Sequence, residues 1–290
     1  MPINTVFIRD VGPLRWALRT ALRQFYKRIL HRDHRMQLPT GEWMTLPIAD
    51  HFASEAFITK ADVDWGSEQL LFSLLSGEGA FLDVGAHIGY YSLYMLPCVR
   101  AVYAFEPDPR VRALLEKNVS AKANIEVISS AVGATEGVAH FTLERHSEVS
   151  HLSAVGDNAA NQIEVQVTTI DAFVAARNLS VEAIKIDVEG HDTEVIRGAL
   201  HVLMQQQPLV LTEARPDAEL FALTASVNYR VFAYVRRRNA REKLLRELFP
   251  TVETPDETKM LFLVPNKLAS QFSQLVPSPL VPSFLTLHAP

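Results

Sequence analysis

The chain has 290 residues, 48% apolar and 21% charged, which is the balance of a soluble globular protein with room for one large α/β domain and a modest extension. Its net charge of −5 argues against a general nucleic-acid binder, which needs a basic face. The single cysteine, Cys98, leaves no disulfide framework and no cysteine-based zinc site.

No apolar run reaches the length that crosses a bilayer. Near the start, Arg9, Asp10, Arg15 and Arg19 interrupt the hydrophobic residues, so no signal peptide is predicted and the expected location is cytoplasmic. Residues 11–30 carry Val11, Leu14, Leu18, Leu22, Phe25 and Ile29 at three- and four-residue steps, the pattern of one amphipathic helix. Arg15, Arg19, Arg23 and Lys27 form a basic stripe on another face. Two readings are open: a solvated basic face opposite a docked apolar one, or peripheral attachment of the basic helix to an anionic membrane surface or acidic partner. This helix opens an extension assigned to residues 1–60, with a turn at Pro39-Thr40-Gly41. Asp64-Trp65-Gly66-Ser67-Glu68 reads either as a lid or as a helix start capped by Ser67.

A strand–turn–helix rhythm then runs over an α/β domain assigned to residues 61–265. Short apolar runs at 80–84, 101–105 and 125–129 predict the first three strands. Asp108 and Pro109 predict a helix start, since Asp caps well and Pro is tolerated at the first helical position. Alternating segments at 138–143 and 163–167 flank a Ser-, Gly- and Asn-rich loop and read as a β-hairpin insertion. Strands at 183–186, 209–212, 231–235 and 260–264 complete the set. A single helix after the fourth strand is expected to bury Val195, Ile196, Ala199, Leu200 and Leu203. Residues 266–290, with Pro277, Pro279 and Pro282, are expected to form an irregular tail. Strands alternating with helices imply a mostly parallel, Rossmann-like sheet with helices on both faces, binding ligands at the carboxyl ends of its strands.

Three segments carry chemistry. In Phe81-Leu82-Asp83-Val84-Gly85-Ala86-His87-Ile88-Gly89 an apolar strand ends in an acid, with glycines two and six residues later. Gly85 permits a sharp turn and close approach to a ligand, and Gly89 permits close helix packing. The spacing differs from the G-x-G-x-x-G of dinucleotide binders, and the acid suits an ammonium-bearing ligand better than a pyrophosphate. In Val102-Tyr103-Ala104-Phe105-Glu106 a second strand ends in an acid about twenty residues further on, placed to accept hydrogen bonds from ribose hydroxyls. In Ile184-Lys185-Ile186-Asp187-Val188-Glu189-Gly190-His191-Asp192 three acids and a histidine gather at a strand end. Crowded, buried carboxylates raise the pKa of at least one, as general-base work requires.

The strings FLDVGAHIGYYSLYM, VYAFEPDP and IKIDVEGHDTEVIRGA, in this order and spacing, resemble the best-marked segments of the FkbM methyltransferase family over residues 65–265. The family pattern often has Asn where this chain has His87. The resemblance implies a seven-stranded methyltransferase sheet with its last strand antiparallel. It also implies S-adenosylmethionine as cofactor and methyl transfer to a hydroxyl of a small molecule or saccharide. By position, Asp83, Gly85, Ala86, His87 and Gly89 would cradle the methionine part, Glu106 the ribose, and Ser130 and Ala131 the adenine. Asp187 would lie near the transferable methyl.

Asp187 is the first choice of general base, with Glu189 and His191 behind it. No metal is assigned, although Asp187 and Glu213 form an alternative oxygen pair for one. Remaining alternatives are a nicotinamide-dependent Rossmann dehydrogenase and a non-catalytic cofactor-binding protein. His140, His146, His151, Arg197, Arg215 and the run Arg236-Arg237-Arg238 are read as solvated or structural, with His151 a candidate to face substrate. The sequence leaves the oligomeric state open.

Overall fold

The computed structural model describes residues 6–143, 151–152, 161–237, 240–250 and 257–275. Helices α1 (Val6–Val11) and α2 (Pro13–Phe25) lead, through a π-helical turn, to a hairpin of β1 (His34–Gln37) and β2 (Trp43–Leu46). Then come α3 (Phe52–Thr59), α4 (Ser67–Leu74), β3 (Ala80–Val84), α5 (Tyr90–Met95), β4 (Ala101–Phe105), α6 (Pro109–Val119) and β5 (Ile125–Ile128). A side sheet takes β6 (Ala131–Val132), β7 (Gly137–Thr142), β8 (His151–Leu152) and β9 (Gln162–Thr168). The chain finishes with α7 (Ile170–Arg177), β10 (Val181–Ile186), α8 (Asp192–Arg197), α9 (Leu200–Gln205), β11 (Leu209–Thr212), α10 (Ala218–Ser226), β12 (Tyr229–Val235), β13 (Leu244–Leu248), β14 (Leu261–Pro265) and α11 (Asn266–Gln274).

The main sheet has eight strands in the order β13-β12-β14-β11-β10-β3-β4-β5. β5, β4, β3, β10 and β11 pair in parallel, and β14 runs against both β11 and β12. All seven expected strands are present, and β13 is an addition that lengthens the edge beyond β12. Its Glu247 pairs with Arg230 across that edge. The central strands are largely apolar because both faces of the sheet are covered there. Phe81, Val102, Ala183, Leu209 and Phe262 face one core layer, while Leu82, Phe105, Ile184, Val210 and Leu263 face the other. From β3 the chain winds outward through β4 and β5, then returns to β10 on the other side. The β3/β10 boundary is therefore the topological switch point, where such sheets open a ligand crevice.

Local chemistry sets several boundaries. Asp108 accepts from the Arg110 N–H at 2.9 Å to cap α6, and Thr169 and Asp217 cap α7 and α10 in the same way. The predicted hairpin is β7 paired antiparallel with β9. The helix expected after the fourth strand is split at Gly198, where an added Cβ would lie 2.1 Å from the Gly133 carbonyl. Close approach of the side sheet thus prevents one continuous helix. Gly66, not Ser67, occupies the N-cap of α4. The expected irregular tail is corrected at its start: α11 docks Ala269 and Phe272 into the core against Phe232 and Phe262. Pro277, Pro279, Pro282, His146 and Arg238 lie outside the described residues, as do the flanks of β8.

The N-terminal helix overturns its expected orientation. Gly12 (φ +87°) breaks it, and beyond the break Leu14, Leu18, Leu22, Phe25 and Ile29 are exposed. The basic face is the docked one. Arg23 is 1% exposed and donates to the carbonyls of Leu46 and Pro47 and to Ser54 Oγ. Arg19 donates to the Ile58 carbonyl at 2.6 Å, in the last turn of α3, where carbonyls lack intrahelical partners. The neighbours offered unpaired carbonyls, and guanidinium groups, with five donors each, satisfy them better than leucines. Arg236 is corrected likewise: it is 3% exposed, bonded to Asp10 and Glu257, with its guanidinium 4.1 Å from the centre of the Trp65 ring.

Arg23→Ala therefore strands the Leu46 carbonyl and leaves that of Pro47 with only a long bond from the Asp50 N–H. We expect it to lower stability by about 2–4 kcal/mol, against less than about 0.5 kcal/mol for exposed Arg15→Ala. Urea unfolding of both variants checks the ordering, and equal effects would contradict the docked basic face.

Candidate active site

At the switch point, Lys185 and Asp83 are register partners on neighbouring strands. Lys185 is 3% exposed; its Nζ donates to the Gly85 carbonyl at 2.7 Å and lies 3.3 Å from Asp187 Oδ2 and 3.7 Å from Asp83 Oδ1. Burial alone would lower the lysine pKa, but Asp187 and Asp83 outweigh it and hold the ammonium above its ordinary value. Asp83 is wholly buried and accepts from Ser92 Oγ at 2.6 Å. Burial raises its pKa against the pull of Lys185.

The turn after β3 is shaped by this arrangement. Gly85 has φ +76°, and a Cβ there would fall 1.9 Å from the Asp187 carbonyl oxygen. The close neighbour that requires glycine is thus the backbone of the loop after β10. At Gly89 (φ +90°) a Cβ would meet Leu115 Cδ1 at 2.7 Å, so this glycine serves helix packing, as its spacing suggested. His87 has φ +51°, a left-handed conformation that Asn and His adopt more readily than most residues. Its backbone N–H donates to Glu106 Oε2 at 3.0 Å, and the Asp108 N–H donates to Glu106 Oε1 at 2.9 Å. Burial pushes Glu106 up to about 8 despite these two bonds.

A cavity of about 1710 Å³ opens over these strand ends. Gly85, Ala86, His87, Glu106, Ser130, Ala131, Asp187, Glu189 and His191 all line it. Asp83 and Gly89 are not among its lining residues. Asp83 holds Lys185 and Ser92 from behind, and Gly89 packs against α6. His140 lies in β7, outside the lining, and the backbone of His151 is placed in β8.

Among the lining residues that the sequence reading did not name as site members are Lys185, Tyr91, Lys259 and Phe141. Lys185 had a signal, a lone cation inside an apolar parallel strand. Tyr91 donates to Asp64 Oδ2 at 2.7 Å, placing Asp64 in the cavity wall while Trp65 is buried beneath Arg236. Burial raises Asp64 to about 6.

On the far side, Asp187, Glu189 and Glu213 bring carboxylate oxygens within 4.8 Å of one another. Burial and the nearby Asp187 charge push Glu213 up to about 9. For Asp187 burial acts upward, but Lys185 and a hydrogen bond from Glu213 prevail and hold it below the usual carboxylate range. At neutral pH the pair is therefore a protonated Glu213 donating to an ionised Asp187. Of the acids gathered after β10, Asp192 is the one whose pKa burial raises, and Glu213 at the end of β11 is raised as well, whereas Asp187 is held low.

A family model of the methyltransferase FkbM domain matches residues 83–241. Similar solved structures include a methyltransferase FkbM from Methylobacillus flagellatus KT, with 16% identity and TM-score 0.42, covering 72% of this chain and 52% of that one. A precorrin-6y C5,15-methyltransferase from Geobacter metallireducens GS-15 has 12% identity and TM-score 0.40, covering 71% and 89%. TrmK from M. capricolum, in complex with S-adenosyl-homocysteine, has 14% identity and TM-score 0.35, covering 69% and 67%. The chain thus spans about half the length of the first of these. No curated protein matches the sequence.

Lys185→Met should leave buried Asp83, and half-exposed Asp187 beside it, without their cation, at a cost of about 3–5 kcal/mol. Folded-state carboxyl pKa values then rise above the unfolded ones, so the variant loses most stability at high pH and regains it as the acids take protons. Thermal unfolding at pH 8 and pH 5 checks this: the deficit should shrink at pH 5, and a pH-independent deficit would mean that packing alone is lost. With the family model matching more than half of the residues over the segment that builds this switch point, the chain belongs to the methyltransferase FkbM domain family.

Proposed function

We propose that the chain is an S-adenosylmethionine-dependent O-methyltransferase acting on a hydroxyl of a small molecule or saccharide. The observation that carries this reading is Glu106, a buried carboxylate fixed by two backbone N–H groups at the cavity edge and offering its remaining lone pairs to a diol. The donor set fits the cofactor. Gly85 and Ala86 line the turn for its amino-acid part, and Ser130 and Ala131 line the wall beyond Glu106 for its base. Asp64, Asp187, Glu189 and Glu213 give that end an acidic lining suited to a cationic ligand. A single drug-sized ligand needs about 300–1,000 Å³, so a cavity of about 1710 Å³ leaves room for an acceptor beside it.

When bound, the cofactor supplies an electrophilic methyl group on a sulfonium. The protein's task is alignment, exclusion of water and disposal of one proton. Asp187, oriented by Lys185 and Glu213, accepts a hydrogen bond from the acceptor hydroxyl and takes its proton as the oxygen–carbon bond forms. Its lowered pKa makes it a weak base, so the proton moves late, when the oxygen has become acidic. Glu189 and His191 line the same wall as candidate relays to solvent. The acidic trio also favours a second reading, in which Asp187, Glu189 and Glu213 would hold a divalent ion and that ion would supply acidification of the hydroxyl.

Two outcomes test the proposal. Ribose hydroxyls favour ionised Glu106, so S-adenosylhomocysteine affinity should rise by up to about tenfold per pH unit as pH approaches 8 from below. Calorimetry should show proton release, and Glu106→Gln should remove that dependence. A flat profile in the native protein, or equal binding of NAD, would overturn the ribose assignment. Asp187→Asn should lower single-turnover methylation by about 10²–10⁴-fold with little change in cofactor affinity. Loss of native activity on chelation, restored by magnesium or manganese, would instead support the bridging ion.

A further inference from the structure

Among the described residues, eleven large hydrophobic side chains are exposed, and six of them lie between Leu14 and Leu30. Leu14 is 73% exposed, Leu18 64% and Ile29 66%, with Leu22 and Phe25 at 46%. Ala17 and Ala21 are also exposed. Four- and three-residue steps place these side chains along one face of α2 and its π-helical continuation, a continuous stripe rather than scattered residues. The charges on the helix beside it are of one sign. No acid occurs between Asp10 and Asp33, whereas Arg15 and Arg28 flank the stripe, and beyond it Arg32 and Arg35 stand on either side of Asp33, all exposed.

We propose that this face of α2 seats the protein on an anionic bilayer surface. The apolar stripe would enter the boundary between headgroups and acyl chains, and Arg15, Arg28, Arg32 and Arg35 would lie among the lipid phosphates. Charge complementarity selects this occupant. A second copy of the helix would bring one arginine rim against another, in either orientation, and like charges across an interface oppose association. The inner face of the same helix gives the reason for such seating. Trp16, Thr20, Gln24 and Lys27 line the far end of the cavity that begins at Asp187. A docked α2 therefore brings that end of the cavity to the headgroup layer. The docking itself rests on the exposed stripe and its charges, independently of the activity proposed above.

Vesicle flotation of the full chain decides the matter, with phosphatidylcholine alone and phosphatidylcholine mixed with phosphatidylserine. The native protein should float with the mixed vesicles, bind the neutral ones at least about tenfold less, and lose binding as salt screens the surface. Leu18→Glu with Leu22→Glu should reduce flotation about tenfold or more while leaving the unfolding temperature and S-adenosylhomocysteine affinity unchanged, since both side chains already face solvent. Sizing in parallel reads the competing occupant. A native dimer that the double variant dissolves, without vesicle binding, would overturn the proposal in favour of self-association. Absence of flotation from a monomer would overturn it outright. Failure of cofactor binding in a protein that still floats would count against the proposed activity alone.

Discussion

A single buried cation organises the ligand-binding edge of this sheet. Lys185 stands at the switch point with register partner Asp83 on one side and Asp187 two residues ahead, and its remaining donor holds the Gly85 carbonyl. From that bond the geometry spreads outward. The N–H groups of Gly85 and Ala86 donate to the Phe105 carbonyl at 3.1 and 2.9 Å, and the His87 N–H continues to the Glu106 carboxylate. The Asp187 N–H returns to the Val84 carbonyl at 3.1 Å. The ends of β3, β4 and β10 are thus tied into one unit. A charge so buried is tolerable only because a carbonyl accepts from it and two carboxylates stand 3.3 and 3.7 Å away, and this arrangement leaves the turn after β3 little freedom.

The same cation divides the labour among the acids. Asp83 neutralises Lys185 from beneath, inside the core. Asp187 does so from the cavity side, where its side chain keeps 36% exposure and can meet a ligand. Glu213, raised by burial and by the Asp187 charge, is the donor to Asp187. An ionised acceptor is therefore held in place by two donors. Neighbouring Glu189 and Asp64 add to the acidic lining, which favours a cationic ligand over the pyrophosphate of a nicotinamide cofactor.

The sequence made the strands, their alternation with helices and the α6 cap legible because each follows from local pattern: apolar runs, turn residues, Asp before Pro. The side-sheet hairpin was legible from its alternation. Features set by distant neighbours were not. Gly198 splits a helix because the Gly133 carbonyl, sixty-five residues away in the chain, approaches it. β13 has one buried side chain, Leu245, so its apolar pattern was too weak to mark a strand. In the site, Glu106 and Asp187 were marked by their positions at strand ends. Lys185 needed the β3–β10 register to reveal its partner, and Glu213 needed the fold to bring it beside Asp187. The retreat of Asp83 behind Lys185 likewise follows from that register, since its side chain points into the sheet's packed layer rather than upward into the crevice.

Helix α2 shows why periodicity fixes the existence of two faces but not their direction. Burying its leucines would have gained hydrophobic free energy of roughly 1.5–3 kcal/mol for each fully buried side chain. Against that stands what the surrounding structure offers. The end of β2 presents the carbonyls of Leu46 and Pro47, and the last turn of α3 presents that of Ile58. Left dry and unpaired, each buried carbonyl costs about 1–3 kcal/mol, and no apolar side chain satisfies one. Arg19 and Arg23 satisfy all three while their alkyl stems cover nearby apolar surface. Turning the basic face inward removes a certain electrostatic penalty and leaves an apolar face outward. Such a face is costly in water but matched to an interface that supplies both hydrocarbon and anionic charge.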